Sequence, residues 1–346
     1  MRSADQSFWL NRFAWFTALS TLLLICSGGM VTSKGVGLAV PDWPTTFGYN
    51  MFLFPVSKWV GGIFFEHTHR LIASIVGLLT IVLALWLGRV DDRRWVRRLG
   101  LFALAGVVLQ GLLGGLRVTM LKDEIGIFHA CLAQAFLGLI VFIAVVTTNS
   151  WRLLSGGAAP RRVSRLFTLA VATTLAIYTQ LALGATMRHQ HRDLSIQDFP
   201  AAYGSWLPDT SAPALQAINQ SRDARGLSDV TAFHIWLQMA HRFGAVIITI
   251  GVIICAVRIW KDAADLAVFR RLALLWLGLL FCQITLGAWT IWSNKAADIA
   301  TAHVAAGATM LSLGVSICAM SGRLRSWPSD ARANRSVVEM NRAALA

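Results

Sequence analysis

Charge is what this sequence has least of: 14% of its 346 residues are charged, against roughly a quarter in soluble domains. With 56% hydrophobic residues and a mean hydropathy of +0.59, the chain lacks the polar surface that water would demand. Acidic residues are the scarcer kind, 17 against 31 basic, for a net charge of +14. That excess alone would suggest a nucleic-acid partner, but the basic residues fall in short clusters between long apolar runs, which argues against one. Cysteine is sparse too. Cys26, Cys131, Cys255, Cys282 and Cys318 all lie in apolar runs without CxxC spacing, so neither a zinc site nor a disulfide framework is indicated, and they read as packing residues. The N-terminus, MRSADQSFWLNRF, lacks the small-residue cleavage site of a signal peptide. The first apolar run is therefore expected to stay in the mature protein.

What is present is a set of long apolar runs. A helix needs about 20 apolar residues to cross the hydrocarbon core, and eight stretches qualify, near 12–32, 64–88, 99–120, 127–148, 166–187, 233–257, 271–292 and 300–320. An even number puts both termini on one side. Of the 31 basic residues, 19 lie in the N-terminal segment, DDRRWVRR, the 149–165 and 258–271 loops and the C-terminal tail. By the positive-inside rule those segments are cytoplasmic, and the connections 33–62 and 188–232 face outward. The many tryptophans near helix ends, Trp43, Trp59, Trp206, Trp236, Trp289 and Trp292 among them, suit the interfacial belt.

The chain also repeats itself. GGMVTSKGVGLAVPDWP at 28–44 aligns without gaps on GATMRHQHRDLSIQDFP at 184–200, keeping Asp42/Asp198 and Pro44/Pro200. HRLIASIVGLLTI from His69 aligns on HRFGAVIITIGVI from His241, LQGLLGG around Gln110 on CQITLGA around Gln283, and FHACLAQA at His129 on AHVAAGAT at His303. Near-constant offsets over four helices indicate duplication of a four-helix unit, and the even helix count makes the copies parallel about an axis along the membrane normal. The expected fold is an all-α integral membrane protein of eight transmembrane helices, arranged as two tandem, pseudo-twofold-related four-helix bundles. The bundles are assigned to 10–150 and 164–322, with a cytoplasmic tail at 323–346.

The repeat pairs four of the eight histidines, His69 with His241 and His129 with His303. All four sit on even-numbered helices, within about two or three turns of the outward end. Ionisable residues inside membranes are rare and usually functional. Two imidazoles per bundle cannot complete a zinc site, but a planar macrocycle that needs only two axial ligands matches the inventory. Two bundles then imply two haem pockets, with the histidines as iron ligands. Plain interhelical hydrogen bonding of the histidines is the competing reading. Glu66 lies one turn outward of His69 on the same face, and its repeat partner is the neutral Gln238. Only the first pocket therefore has a proton acceptor there; the alternative is an interfacial carboxylate paired to Arg70. Arg70 and Arg242 follow their histidines and fit a repeated anion, haem propionates being the candidate, with snorkelling as the alternative. His67, His189, His191 and His234 have no partners in the repeat and read as loop or interface residues, and Gly114, Gly115 and Gly287 as sites of close helix packing.

At these residues the sequence resembles the haem A synthase family, which converts haem O to haem A for cytochrome oxidase assembly. The match spans roughly 10–320 and rests on GGMVTSKGVGLAVPDWP, EHTHR, the His129 helix, AHR ending at Arg242 and the His303 helix. The resemblance implies a substrate haem between His69 and His129 in the N-terminal half. It implies a resident haem b between His241 and His303, and Glu66 as the essential acidic residue. The implied reaction oxidises the porphyrin C8 methyl of haem O through an alcohol to the formyl of haem A, with water as oxygen source. A bacterial cytoplasmic (inner) membrane location follows. The candidate partners are membrane lipid, haem O synthase, cytochrome oxidase assembly factors, a quinone as electron acceptor and a second copy of the chain. One departure stands out: many bacterial relatives carry a cysteine pair in the first outer loop, and 33–62 has none. The competing function is a non-catalytic di-haem transmembrane electron carrier, with a haem or metal transporter behind it.

Overall fold

The computed structural model describes residues 4–154, 163–190, 194–263 and 266–325. His191 and most of the tail assigned to 323–346 lie outside the described residues. Ten α-helices are present among those described: α1 (Ala4–Ser33), α2 (Gly61–Val90), α3 (Arg94–Met120), α4 (Asp123–Val146), α5 (Asn149–Leu153), α6 (Val163–His189), α7 (Ala212–Asp223), α8 (Ala232–Asp262), α9 (Ala267–Trp292) and α10 (Ala297–Arg325). Eight of them are long and apolar enough to cross a membrane, and they coincide with the eight runs expected from sequence. They extend beyond those runs, α1 back to Ala4 and α3 back to Arg94. The intrahelical ladder continues through polar end turns that hydropathy does not register. Helices α5 and α7 are too short to span and were not anticipated.

Helices α1 to α4 close into one ring, each packing on its neighbour and α4 back on α1; α6, α8, α9 and α10 close into a second. Contacts of α1 and α4 with α10, and of α4 with α6, join the rings. α4 and α10 are the inner helices, 56% and 61% buried over their apolar windows against 17–33% for the rest. These two carry His129 and His303. Close approach relies on small residues: a Cβ on Gly100 of α3 would come 3.3 Å from the Ala84 backbone of α2, and one on Gly314 of α10 would meet the Thr174 side chain of α6.

Packing is unequal along the bundles. At the end carrying the termini, aliphatic side chains fill the interior, among them Leu83 and Leu87 of α2, Ile140 and Ile143 of α4, and Val252 and Ile259 of α8. Trp276 is fully buried there, and its indole N–H donates to the Met310 carbonyl at 3.0 Å. At the opposite end a smaller cluster, Ile196, Ala202, Val230, Ile235 and Met239, seats the second long loop, with Leu215 and Ile218 of α7 against it. The paired histidines lie between plug and cap. Four of the five cysteines are buried or partly buried as expected, but Cys282 is exposed on the outer surface of α9.

Candidate functional site

The two long loops are held by the same device. Asp42 accepts backbone N–H bonds from Phe47 at 2.7 Å and Gly48 at 2.9 Å, and Asp198 accepts them from Tyr203 and Gly204, both at 2.9 Å. The turns place Gly48 and Gly204 at φ 76° and 78°, in the left-handed region that glycine enters at no steric cost. Burial opposes the charge on Asp42, but the bonds from Gly48, Thr45 and Phe47 outweigh it and hold its carboxyl below the usual carboxylate range.

Arginine straps each loop to its helix. Arg70 donates through Nη1 to the carbonyls of Asp42 (2.7 Å) and Thr45 (3.1 Å), and through Nη2 to Val40 (2.8 Å). Arg242 donates through Nη1 to Ala201 (2.7 Å) and through Nη2 to Asp198 (2.6 Å). The sequence reading gave both arginines to a repeated anion; the repeated partner found here is a set of loop carbonyls, with Glu66 added in the first half. A guanidinium offers five donors in a rigid fork, which suits turn carbonyls as well as a carboxylate.

Glu66 and Gln238 occupy equivalent sockets. Glu66 Oε2 accepts from the Val40 N–H at 2.8 Å, and Gln238 Oε1 accepts from the Ile196 N–H at 2.7 Å. Gln238 Nε2 also donates to the Ile196 carbonyl at 3.0 Å, whereas the Val40 carbonyl is taken by Arg70, which binds Glu66 Oε1 at 2.7 Å. Both residues are 4% exposed. The carboxylate is thus an ion-paired acceptor in a socket that its repeat partner fills with a neutral amide.

The four paired histidines share one environment. Each presents its Cε1 and Nδ1 edge to a glycine on the preceding spanning helix: His69 to Gly28, His129 to Gly114, His241 to Gly184 and His303 to Gly287. In each, Nδ1 is buried without a hydrogen-bond partner, while the residue as a whole is partly buried. The His241 and His303 ring centres are 6.4 Å apart. Two metal–imidazole bonds of about 2 Å, with about 1 Å more from nitrogen to ring centre on each side, call for roughly 6 Å. Among the described residues no three of His, Cys, Asp and Glu converge. The orphaned ring nitrogens, the glycine cradles and the ring separation fit a bis-imidazole macrocycle.

Gly114 and Gly287, read from sequence as helix-packing sites, receive histidine rings, and Gly115 receives the indole of Trp43. His67 is fully buried between Phe54 and Trp59 beneath the first loop, and His234 closes a capping box with Thr231 at the start of α8. His189, also buried, faces Gly126. Two residues near the pockets escaped the sequence reading, Arg117 on α3 and Arg188 on α6. The signal that could have found them is a basic residue one turn beyond a histidine-facing glycine.

An all-α transmembrane protein of two similar helix rings, each carrying a repeated pair of deep histidines that face glycines, is the class that fold and site define. Residues 49–315 match the COX15-CtaA family, cytochrome oxidase assembly protein, and the chain belongs to that family. Similar curated proteins include the heme A synthase of Shouchella clausii, 28% identical over 75% of this chain and 86% of the relative. Those of Shewanella oneidensis (26%; 88% and 94%) and Beijerinckia indica (28%; 82% and 84%) are similar over comparable spans.

Proposed function

We propose that this protein is a haem A synthase, oxidising the C8 methyl group of haem O to the formyl group of haem A. The observation that carries the reading is the pair of matched sockets in which one holds a carboxylate and the other an amide. An electron carrier with two permanent haems would have no use for a buried charge in one pocket only. The N-terminal bundle, 10–150, takes the substrate between His69 and His129. The C-terminal bundle, 164–322, holds haem b between His241 and His303, and that haem when bound supplies one-electron redox chemistry.

The chain's own residues bind, orient and move protons. His69 and His129 fix the substrate's plane, and the glycines facing them set how far each ring can retreat. Glu66, one turn toward the loop from His69, is the proton acceptor. Converting methyl to alcohol and alcohol to aldehyde takes one water and two two-electron oxidations, each releasing two protons. The electrons leave to an acceptor for which a quinone is the candidate. Arg70 keeps the Glu66 carboxylate paired between turnovers, and the strapped loop with Trp43 on Gly115 roofs the pocket. The basic-residue bias supports cytoplasmic termini, with the loops and both pocket mouths outside, and the family resemblance supports a bacterial inner membrane.

One observation favours a second role for Glu66: both its oxygens are engaged, by Val40 and Arg70, so it also anchors the loop. Glu66→Gln separates the two roles, because Gln238 demonstrates that an amide can fill this socket. The variant is expected to fold and bind haem while accumulating haem O or its alcohol, read by pigment extraction and chromatography. Normal haem A yield would leave Glu66 as an anchor only.

A further inference from the structure

Each pocket is flanked by two helices whose glycine faces a histidine, and the residue one turn beyond that glycine, toward the loops, lines the mouth. In the first bundle these residues are Thr32, after Gly28, and Arg117, after Gly114. The repeat converts them to Arg188, after Gly184, and Thr290, after Gly287. Each pocket thus has one threonine and one arginine, with the positions exchanged. The threonines spend their hydroxyls on their own helices, Thr32 on the Gly28 carbonyl at 3.1 Å and Thr290 on the Leu286 carbonyl at 2.8 Å.

The two arginines differ in their commitments. Arg188 donates through Nη2 to the Gly29 carbonyl at 2.9 Å and to Ser33 Oγ at 2.6 Å, across the seam between bundles. Arg117 makes no hydrogen bond through its guanidinium and no ion pair among the described residues. It lies in the field of Glu66 and Asp123, neither within ion-pair distance. Its guanidinium rests on two glycines: a Cβ on Gly37 would come 3.0 Å from Nη1, and one on Gly126 would come 3.1 Å from Nε. His189 shares the Gly126 surface. A partly buried cation without partners is costly, and the glycines it rests on bring no side chain to occupy its donors.

We propose that Arg117 is the anion-binding residue of the N-terminal pocket and grips a carboxylate of the exchangeable macrocycle. The matching cation of the C-terminal pocket, Arg188, is spent on holding the two bundles together. Arg117 sits about 4.5 Å of helix rise beyond Gly114, which faces His129. The acid side chains of a porphyrin share one edge of the ring, some ångströms from the metal, so that edge would point to the pocket mouth. A planar fork binds a carboxylate bidentately. An uncommitted arginine serves a ligand that enters and leaves; a committed one does not.

The inference rests on the substrate assignment above. The test uses the purified full-length protein with its resident haem, titrated optically with haem O and with its dimethyl ester, which keeps the macrocycle and loses the charges. Wild type is expected to bind the diacid about tenfold or more tighter than the diester. Arg117→Gln should cut diacid affinity by about that factor, leave ester affinity unchanged, and be partly rescued by Arg117→Lys. Equal losses for acid and ester would show a merely structural residue and overturn the proposal, as would an unchanged diacid affinity. If His129→Ala leaves diacid affinity intact, the substrate assignment falls too. A His129-dependent affinity that ignores Arg117 removes only the present inference.

Discussion

Replacing Gly287 by alanine tests the histidine pockets without touching a ligand. The added Cβ would stand 3.0 Å from His303 Cε1, where carbon atoms prefer about 3.5–4.0 Å. The ring must retreat by roughly 0.5 Å, and a metal bond tolerates about 0.2 Å. Disturbing the outer contacts of a metal ligand typically costs about 10–100-fold in affinity, so Gly287→Ala should lose most of the low-spin resident haem. The same pocket supplies the control: a Cβ on Gly184 would sit 3.4 Å from His241 Cε1, an ordinary contact, and Gly184→Ala should keep its spectrum. Both changes raise helix propensity by about 0.8–1.0 kcal/mol, so loss of folding does not explain a difference. The assay is the reduced-minus-oxidised spectrum with a haem-to-protein ratio. A normal spectrum in Gly287→Ala, or equal losses in both variants, refutes the cradle argument.

Glu66→Gln should lower haem A formation by about 10²–10⁴-fold, the usual contribution of a general base, with haem content preserved; a smaller loss in a timed conversion assay argues against proton transfer there. His241→Ala should remove the stable b-type spectrum, whereas His69→Ala should leave it and abolish turnover; an unchanged spectrum in both His241→Ala and His303→Ala defeats the ligand assignment. A cysteine placed at Leu215 should label from outside intact cells, and labelling from the cytoplasmic side alone would invert the topology. Asp42, its carboxyl held low by the turn, should stabilise the first loop above about pH 4 and release it as pH falls through its depressed value. Limited proteolysis of 33–60 reads this, and Asp42→Asn should open the loop already at neutral pH.

The eight spans and the two rings were legible because lipid leaves a helix no alternative and the duplication displays the same pattern twice. The histidine pairs were legible for the same reason, an ionisable residue repeated in register inside an apolar run. The partners of Arg70 and Arg242 were not. A guanidinium next to a candidate haem ligand has the same sequence signature whether its fork meets propionates or turn carbonyls, and the choice depends on where the loop folds back. Arg117 and Arg188 were hidden differently. Their positions do not repeat, so the comparison of halves that revealed the histidines passed over them. Helix α7 lies in a polar stretch with no long apolar face; it is held by Arg222, whose Nε donates to the Ser228 carbonyl, and by Asn219 bonded both ways to Val230.

What duplication preserved and what it let diverge divide along a physical line. The features needed to hold a planar metal centre at a fixed depth occur twice: two histidines, two glycine cradles, an aspartate-capped turn and an arginine strap. The differences gather at one end of the pockets. Glu66 becomes Gln238, His67 becomes Met239, Trp43 over Gly115 becomes Phe199 against Trp292, and the arginine changes helix. Taking a carboxylate out of water costs several kcal/mol before pairing. The second bundle shows that the socket works without one, since Gln238 satisfies both the N–H and the carbonyl of Ile196. Loop anchoring therefore does not account for the charge at Glu66, nor for the Arg70 pairing that offsets it. Chemistry confined to the first pocket would account for it, and that is the ground for proposing the N-terminal bundle as the reacting half.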